Sequence, residues 1–282
     1  MRWQGRRESQ NIEDRRGMRF GRAGGIGLGT IVLALVAAYF GVDPSVVLQG
    51  TQPSQQQAEQ VPYEESAAEA QNRQLVSVVL ADTEEAWTAL FAAAGRTYEK
   101  PTLVLFSGAA QSACGFAEAA VGPFYCPRDH MVYIDLSFYD ELQNRFGAQG
   151  DFAQAYVVAH EVGHHVQTLL GISERNMAAR QRASEAEANA LSVRQELQAD
   201  CFAGIWAHNA DRSRQLLEAG DIEEGLNAAA AIGDDRLQKQ SRGYVSPESF
   251  THGSSEQRVR WFKRGFEAGT TDVCDTFATR SL

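Results

Sequence analysis

The chain has 282 residues, 44% hydrophobic and 22% charged, the balance of a folded globular protein rather than a disordered one. Its 26 basic and 36 acidic residues leave a net charge of -10, which excludes nucleic acid as a partner of the main body, since phosphate binding needs a basic surface.

The charge is unevenly spread. The first 22 residues hold Arg2, Arg6, Arg7, Arg15, Arg16, Arg19 and Arg22 against three acids. The run "AGGIGLGTIVLALVAAYFGV", residues 23–42, carries no charge, and about 20 such residues suffice to cross a bilayer as a helix. It is longer than the core of a cleaved signal peptide and shows no clear cleavage site, so it is expected to be a signal anchor. The arginines then stay cytoplasmic and everything after Val42 is exported. This predicts a basic cytoplasmic arm (1–22), one transmembrane helix (23–42), a flexible linker (43–72) and a folded domain (73–282). The linker assignment rests on its Gln, Glu, Ser, Ala and Pro content, too polar to bury a core. The expected location is the cell membrane, single-pass, with the domain on the extracytoplasmic side.

Within the domain, "QLVSVVLADTEEAWTALFAAAG" predicts a helical stretch with Thr83 as cap and Gly95 as stop. "TLVLFSG", residues 102–108, is a strand by its apolar, β-favouring content. "MVYIDLSFYDEL", residues 131–142, begins as a second strand and turns helical near Ser137. From Asp151 the pattern is helical almost to the end. Asp151 is expected to cap a helix that Gly171 ends, residues 173–190 form a solvated helix or cover, and residues 191–210 form a helix with one apolar side. Two shorter helices follow around Gly220 and Gly233. The fold class is α+β, mostly helical with a small sheet.

Four cysteines, Cys114, Cys126, Cys201 and Cys274, suit an exported domain with two disulfides. Cys114 and Cys126 flank a short Gly/Pro-containing loop, which favours a local bridge there; Cys201 with Cys274 follows by elimination. The alternative is that one or both pairs stay reduced.

The stretch "YVVAHEVGHHVQTLL", residues 156–170, places His160 and His164 four apart on an otherwise apolar helix, with Glu161 one step round. Two imidazoles so placed make half a zinc site, and the glutamate suits a general base. Gly163 weakens a helix by about 1 kcal/mol relative to Ala, which makes sense where another segment passes close. A third ligand is needed, and the candidate is Glu196 in "ELQADCFAG", 32 residues after His164, enough for a turn and an antiparallel return helix. Glu185 and Glu187 compete for that role. Asp200, four residues after Glu196, suits a partner that orients a ligand histidine. His165 lies about 100° round the helix from His164 and is not a ligand; His130 and His208 have no evident partner.

"AHEVGHHVQ", "ELQADCFAG", "THGSSEQR" and the "GPFYCP" loop, in this order, resemble the YpfJ-type family of neutral zinc metallopeptidases, over most of the chain. The resemblance implies a zincin-like peptidase domain, one zinc ion per chain and a peptide or protein substrate. The Glu-x-x-Ala-Asp arrangement is also similar to that of the membrane-bound CAAX-processing metallopeptidases, which matches Glu196 to the third ligand and Asp200 to a residue supporting a histidine. That class has a similar histidine-turn-arginine segment, which makes His252 a candidate donor to the oxyanion formed during attack. A capping or structural histidine is the alternative for His252, and Arg258 is either a partner of Asp200 or a solvated charge; the Gly-Ser-Ser turn makes Ser254 or Ser255 a cap for the last helix. The strand around "VYIDL" is a candidate edge for an extended substrate. Two other functions stay open: a catalytically silent zinc-site protein that binds an envelope partner, and a zinc amidase acting on cell-wall peptides.

Overall fold

The computed structural model describes residues 1–19, 59–60, 63–119 and 122–282. The chain divides into two compact units, one of Met1–Asp14 with Glu65–Leu282 and one of Arg15–Glu64. In the smaller unit, β2 (Met18–Arg19) pairs antiparallel with β3 (Glu59–Gln60), and the Arg16 guanidinium sits 4.7 Å from the centre of the Tyr63 ring. Among the described residues no helix is long and apolar enough to cross a membrane, and the span expected at 23–42 lies outside them.

The larger unit corrects two boundaries. Residues 1–14 of the basic arm are not separate from the domain. Residues Ile12–Asp14 form β1, which pairs in parallel with β4 (Thr102–Phe106), and Trp3 is buried with its indole N–H donating to Asp151 at 2.8 Å. The arginines that suggest a loose cationic arm have internal partners. Arg6 donates to the Arg214 carbonyl, Arg7 to Glu85 and the Ala81 carbonyl, and Arg2 lies 3.7 Å from Glu218. The linker, in turn, ends early. α1 (Ala67–Ala93) begins inside it, capped by Ser66 and Glu69, which exchange hydrogen bonds with each other's backbone. Thr83 is therefore not a cap but a buried interior residue, its hydroxyl donating to the Leu80 carbonyl at 2.7 Å.

The sheet runs in the order β1-β4-β8-β7, with β8 spanning Met131–Asp135 and β7 Phe124–Cys126. β1, β4 and β8 are parallel, and β7 is antiparallel to β8. Burial of both β4 and β8 explains their near-continuous apolar sequences. It also removes "VYIDL" as a substrate edge, because β8 is paired on both sides; β7 is the end strand on that flank. A hairpin of β5 (Ala109–Ser112) and β6 (Gly115–Glu118) follows β4, and the Cys114–Cys126 disulfide ties its turn to β7.

The helices complete the layer: α2 (Ser137–Asn144), α3 (Asp151–Leu169), α4 (Ile172–Arg180), α5 (Glu185–Arg214), α6 (Asp221–Ala231), α7 (Asp234–Arg242) and α8 (Ser255–Ala268). The expected polar segment at 173–190 is thus α4 plus the first turn of α5. Asp151 is not the cap of α3. Its carboxylate serves Trp3 and the Met1 ammonium, while Glu224 of α6 accepts from the Phe152 N–H at 3.2 Å. Gly171 closes the helix with φ 69, as its position predicts. α5 and α8 cross so closely that a Cβ on Gly204 or Gly265 would strike the Phe262 or Cys201 carbonyl. The Cys201–Cys274 disulfide secures the same region, with Cα atoms 5.7 Å apart. The predicted α+β class, mostly helical with a small sheet, is what the chain forms.

Candidate metal centre

Helices α3 and α5 carry the site. Contacts between them pair falling with rising residue numbers: His160 with Asp200, His164 with Glu196, Gln167 with the Gln195 carbonyl. The helices are therefore antiparallel, as the 32-residue interval anticipates. Gly163 is where they meet, since a Cβ there would lie 2.9 Å from the Ala199 carbonyl oxygen. The missing side chain lets the two backbones approach and brings the ligand candidates together.

His160 Nε2 lies 3.2 Å and His164 Nε2 3.5 Å from Glu196 Oε2, and the three ligand atoms fall within 4.8 Å of one another. Bonds of about 2.0–2.1 Å in a tetrahedral array place neighbouring ligand atoms about 3.3 Å apart, which the two distances to Glu196 match. Both Nδ1 atoms face away, to separate partners. His160 Nδ1 donates to Asp200 Oδ1 at 2.9 Å and His164 Nδ1 to Gln167 Oε1 at 2.9 Å. Gln167 is itself fixed by donating to the Gln195 carbonyl at 2.7 Å and to Gln198 at 3.1 Å. Such bonds set the tautomer that leaves Nε2 free for a metal.

Beneath His160 lies a fully enclosed polar cluster. Asp200 accepts from His160, from the Tyr156 hydroxyl, and from Arg258 Nε and Nη2 at 2.9 Å each. Arg258 Nη2 also donates to the Tyr156 oxygen at 3.1 Å. Burial opposes the charge on Asp200, but Arg258 and His160 outweigh it and hold the carboxyl at about 2. Burial likewise opposes a proton on His160, yet Asp200 and Glu196 push its pKa up to about 10, and Glu196 raises His164 in the same way. Those protons are what a metal displaces on binding.

The site opens into a cleft of about 730 Å³ whose lining includes Glu161, Phe124 and Tyr125 of β7, Phe138, Leu237 and His252. Glu161 is next to the ligand set but not in it. His252 reaches the cleft from the loop before α8, which Ser254 caps through a reciprocal bond with Gln257. Its charge acts on Glu196. Glu185 and Glu187 lie in the first turn of α5, where Glu187 is spent on the Ser184 cap, so neither competes for the metal. His165 is fully buried and apart from the ligands, donating from Nε2 to the Glu99 carbonyl and accepting at Nδ1 from the Tyr125 hydroxyl. His130 lies 3.4 Å from Glu99, and His208 donates to the Phe266 carbonyl at 2.7 Å.

Three residues escape sequence reasoning: Tyr156, Gln167 and Asp234. The first two had a signal, because each lies one helical turn from a ligand histidine on the same face. Asp234 had only a Gly-Asp-Asp start to a short helix, which marks a helix terminus and nothing about the site.

Two histidines and a glutamate with donor atoms within 4.8 Å of one another, and a further glutamate alongside, form a candidate metal site with the donor set that zinc hydrolases use. The chain belongs to the family described as "Putative neutral zinc metallopeptidase", whose profile matches residues 1–277. It is 52% identical over 289 residues to the uncharacterized protein YpfJ of Escherichia coli K12, covering 98% of this chain and 99% of that protein. It is also 46% identical over 195 residues to the uncharacterized protein Rv2575 of Mycobacterium tuberculosis H37Rv, covering 66% and 65% of the two chains. No solved structure matches it.

Proposed function

We propose that the protein is a zinc metallopeptidase in which His160, His164 and Glu196 hold one zinc ion and Glu161 is the general base. The observation that carries this reading is the convergence of the three donor groups within 4.8 Å, on the wall of a cleft that Glu161 also lines. Zinc held there would polarise the scissile carbonyl and acidify water to near-neutral pKa. Glu161 takes the proton of the attacking water and passes it to the leaving amine. Asp200 and Gln167 keep each imidazole in the tautomer that binds metal. His252 donates to the oxyanion that forms on the carbonyl. β7, the end strand of the sheet and part of the cleft wall, offers its backbone to an extended peptide. An intact base beside a preformed ligand set favours catalysis over a silent binding role.

The two disulfides support action in an oxidising, extracytoplasmic compartment. Attachment to a membrane through residues 23–42 is part of the same proposal.

The test is Glu161→Gln. Zinc content measured by mass spectrometry should stay at one ion per chain while cleavage of labelled casein is lost. Loss of metal equal to that of His160→Ala would overturn the role of Glu161, since a residue that is not a ligand leaves the ligand set intact.

A further inference from the structure

Asp234 stands at the start of α7 and turns its carboxylate onto the loop that carries His252. Oδ2 accepts three successive backbone N–H groups, from Thr251 at 2.7 Å, His252 at 2.6 Å and Gly253 at 3.0 Å. The Asp234 N–H returns a bond to the Gly253 carbonyl at 2.9 Å. The neighbouring Asp235 adds a second tie, accepting from the Ser255 N–H at 2.7 Å and from its hydroxyl at 2.8 Å. Gly233 permits the approach, because a Cβ there would lie 2.5 Å from the Ser255 nitrogen.

This clasp fixes more than the backbone. The other carboxylate oxygen, Oδ1, faces His252 Nδ1 at 3.4 Å, and the Thr251 hydroxyl lies 2.9 Å from the same nitrogen. Nδ1 is thereby turned back to the loop, leaving Nε2 as the ring's other polar atom in a residue that lines the cleft. Asp234 is 8% exposed and five of its contacts converge on one three-residue segment, so it is placed to orient that segment and not merely to cap a helix.

We propose that Asp234 is a positioning residue for the peptidase reaction: it holds the His252 ring with Nδ1–H on the carboxylate and Nε2–H directed at the substrate carbonyl. The role rests on the peptidase reading above, and it acts entirely through His252. An aspartate there, unlike an amide, also favours a ring protonated on both nitrogens, which is the stronger donor to a developing oxyanion. The charged groups that bear on the ring are Asp234, Glu196 of α5 and Arg258 of α8; the two carboxylates favour the protonated ring and the guanidinium opposes it.

Asp234→Asn is the informative change, because its amide oxygen can still accept the three backbone N–H groups while its NH2 cannot accept from Nδ1. In the zinc-loaded full chain, kcat on fluorescein-labelled casein should fall roughly tenfold, the low end for loss of a ring-orienting partner, with KM little changed. His252→Ala should cost about a hundredfold or more. In the His252→Ala background, Asp234→Asn should cost nothing further, since residues acting through one another are not additive. A full tenfold loss in that background would refute the proposal. The ring nitrogens give an independent answer. In 15N-histidine-labelled protein, with His252 assigned by its absence in His252→Gln, Asp234→Asn should remove the proton from Nδ1 at neutral pH. Unchanged His252 signals would refute the pairing. If the wild type cleaves no casein while the nitrogen signals move, the peptidase reading fails and the Asp234–His252 pairing stands.

Discussion

Removal of Asp200 should do more damage than removal of the proposed metal ligand Glu196, although only the latter would touch zinc. Asp200 is wholly enclosed, and its principal partner Arg258 is 2% exposed. Asp200→Ala strands the guanidinium in the core with the Tyr156 oxygen, the Ile232 carbonyl and, at 3.4 Å, His160 Nδ1 beside it in place of a carboxylate. Breaking a buried pair from one side costs about 3–5 kcal/mol, a large part of the roughly 5–15 kcal/mol that holds a domain together. Zinc affinity should fall as well, by about 10- to 100-fold, because the His160 ring loses the acceptor on Nδ1. Glu196→Ala should lose zinc in a way that excess metal does not repair, yet be the milder change in metal-free protein. Urea denaturation in EDTA measures the first effect, and zinc titration of the folded variants the second. Asp200→Leu combined with Arg258→Met should recover much of the stability, since no charge is left without a partner. The reasoning fails if Asp200→Ala lies within about 1 kcal/mol of wild type in EDTA, or if the double variant is no more stable than the single.

Other expectations are independent of that cluster. Gly163→Val should push α5 away from α3, costing about 1–3 kcal/mol and weakening zinc binding together; stability and zinc titration both unchanged would contradict the close approach of Ala199. His165 is kept neutral by burial, its pKa pushed down to about 4. The unfolded chain, with a histidine near its ordinary value of about 6.5, binds the proton first, so stability present at pH 7 is lost as pH falls through that window, about 2 kcal/mol by pH 5. His165→Gln should lack that component, and equal losses between pH 7 and pH 5 in EDTA-treated wild type and variant would refute it.

The candidate site was legible because its logic is local. His160, Glu161 and His164 declare themselves by helical spacing, and Glu196 with Asp200 by one further helix whose apolar side made it a core element. The pairing of Asp200 with Arg258 was suggested by the resemblance of the histidine-turn-arginine segment, with a solvated charge as the alternative, and burial of both residues decides for the pair. What sequence could not supply were contacts between segments with no shared period. Asp234 meets His252 across 18 positions and two turns. The substrate edge was misplaced for the same reason. "VYIDL" and "FYC" are both strand-like, and only the order of strands shows that the first is enclosed and the second terminal. Thr83 was misjudged because propensity alone favours a cap, whereas a hydroxyl bonded to the preceding turn is tolerated inside a helix.

The N-terminal arginines were misread for a different physical reason, and the consequence reaches the topology. A cluster of cations before an apolar run is the signature of a cytoplasmic flank, but the rule assumes charges that remain solvated. Here Arg6 and Arg7 end on backbone carbonyls and carboxylates of α5 and α1, and β1 lies in register with β4, Ile12 opposite Leu103. Strands joined by hydrogen bonds occupy one side of any bilayer. Residues 1–14 of the arm expected at 1–22 therefore lie on the same side as the domain they help build. If the disulfides place that domain in an oxidising compartment, they place residues 1–14 there too. Trp3 joins this segment to Asp151 at the start of α3, the helix that carries His160 and His164 nine and thirteen positions on. Residues 1–14, which sequence analysis assigned to the far side of a membrane, are thus one of the supports of the helix that carries the proposed ligands.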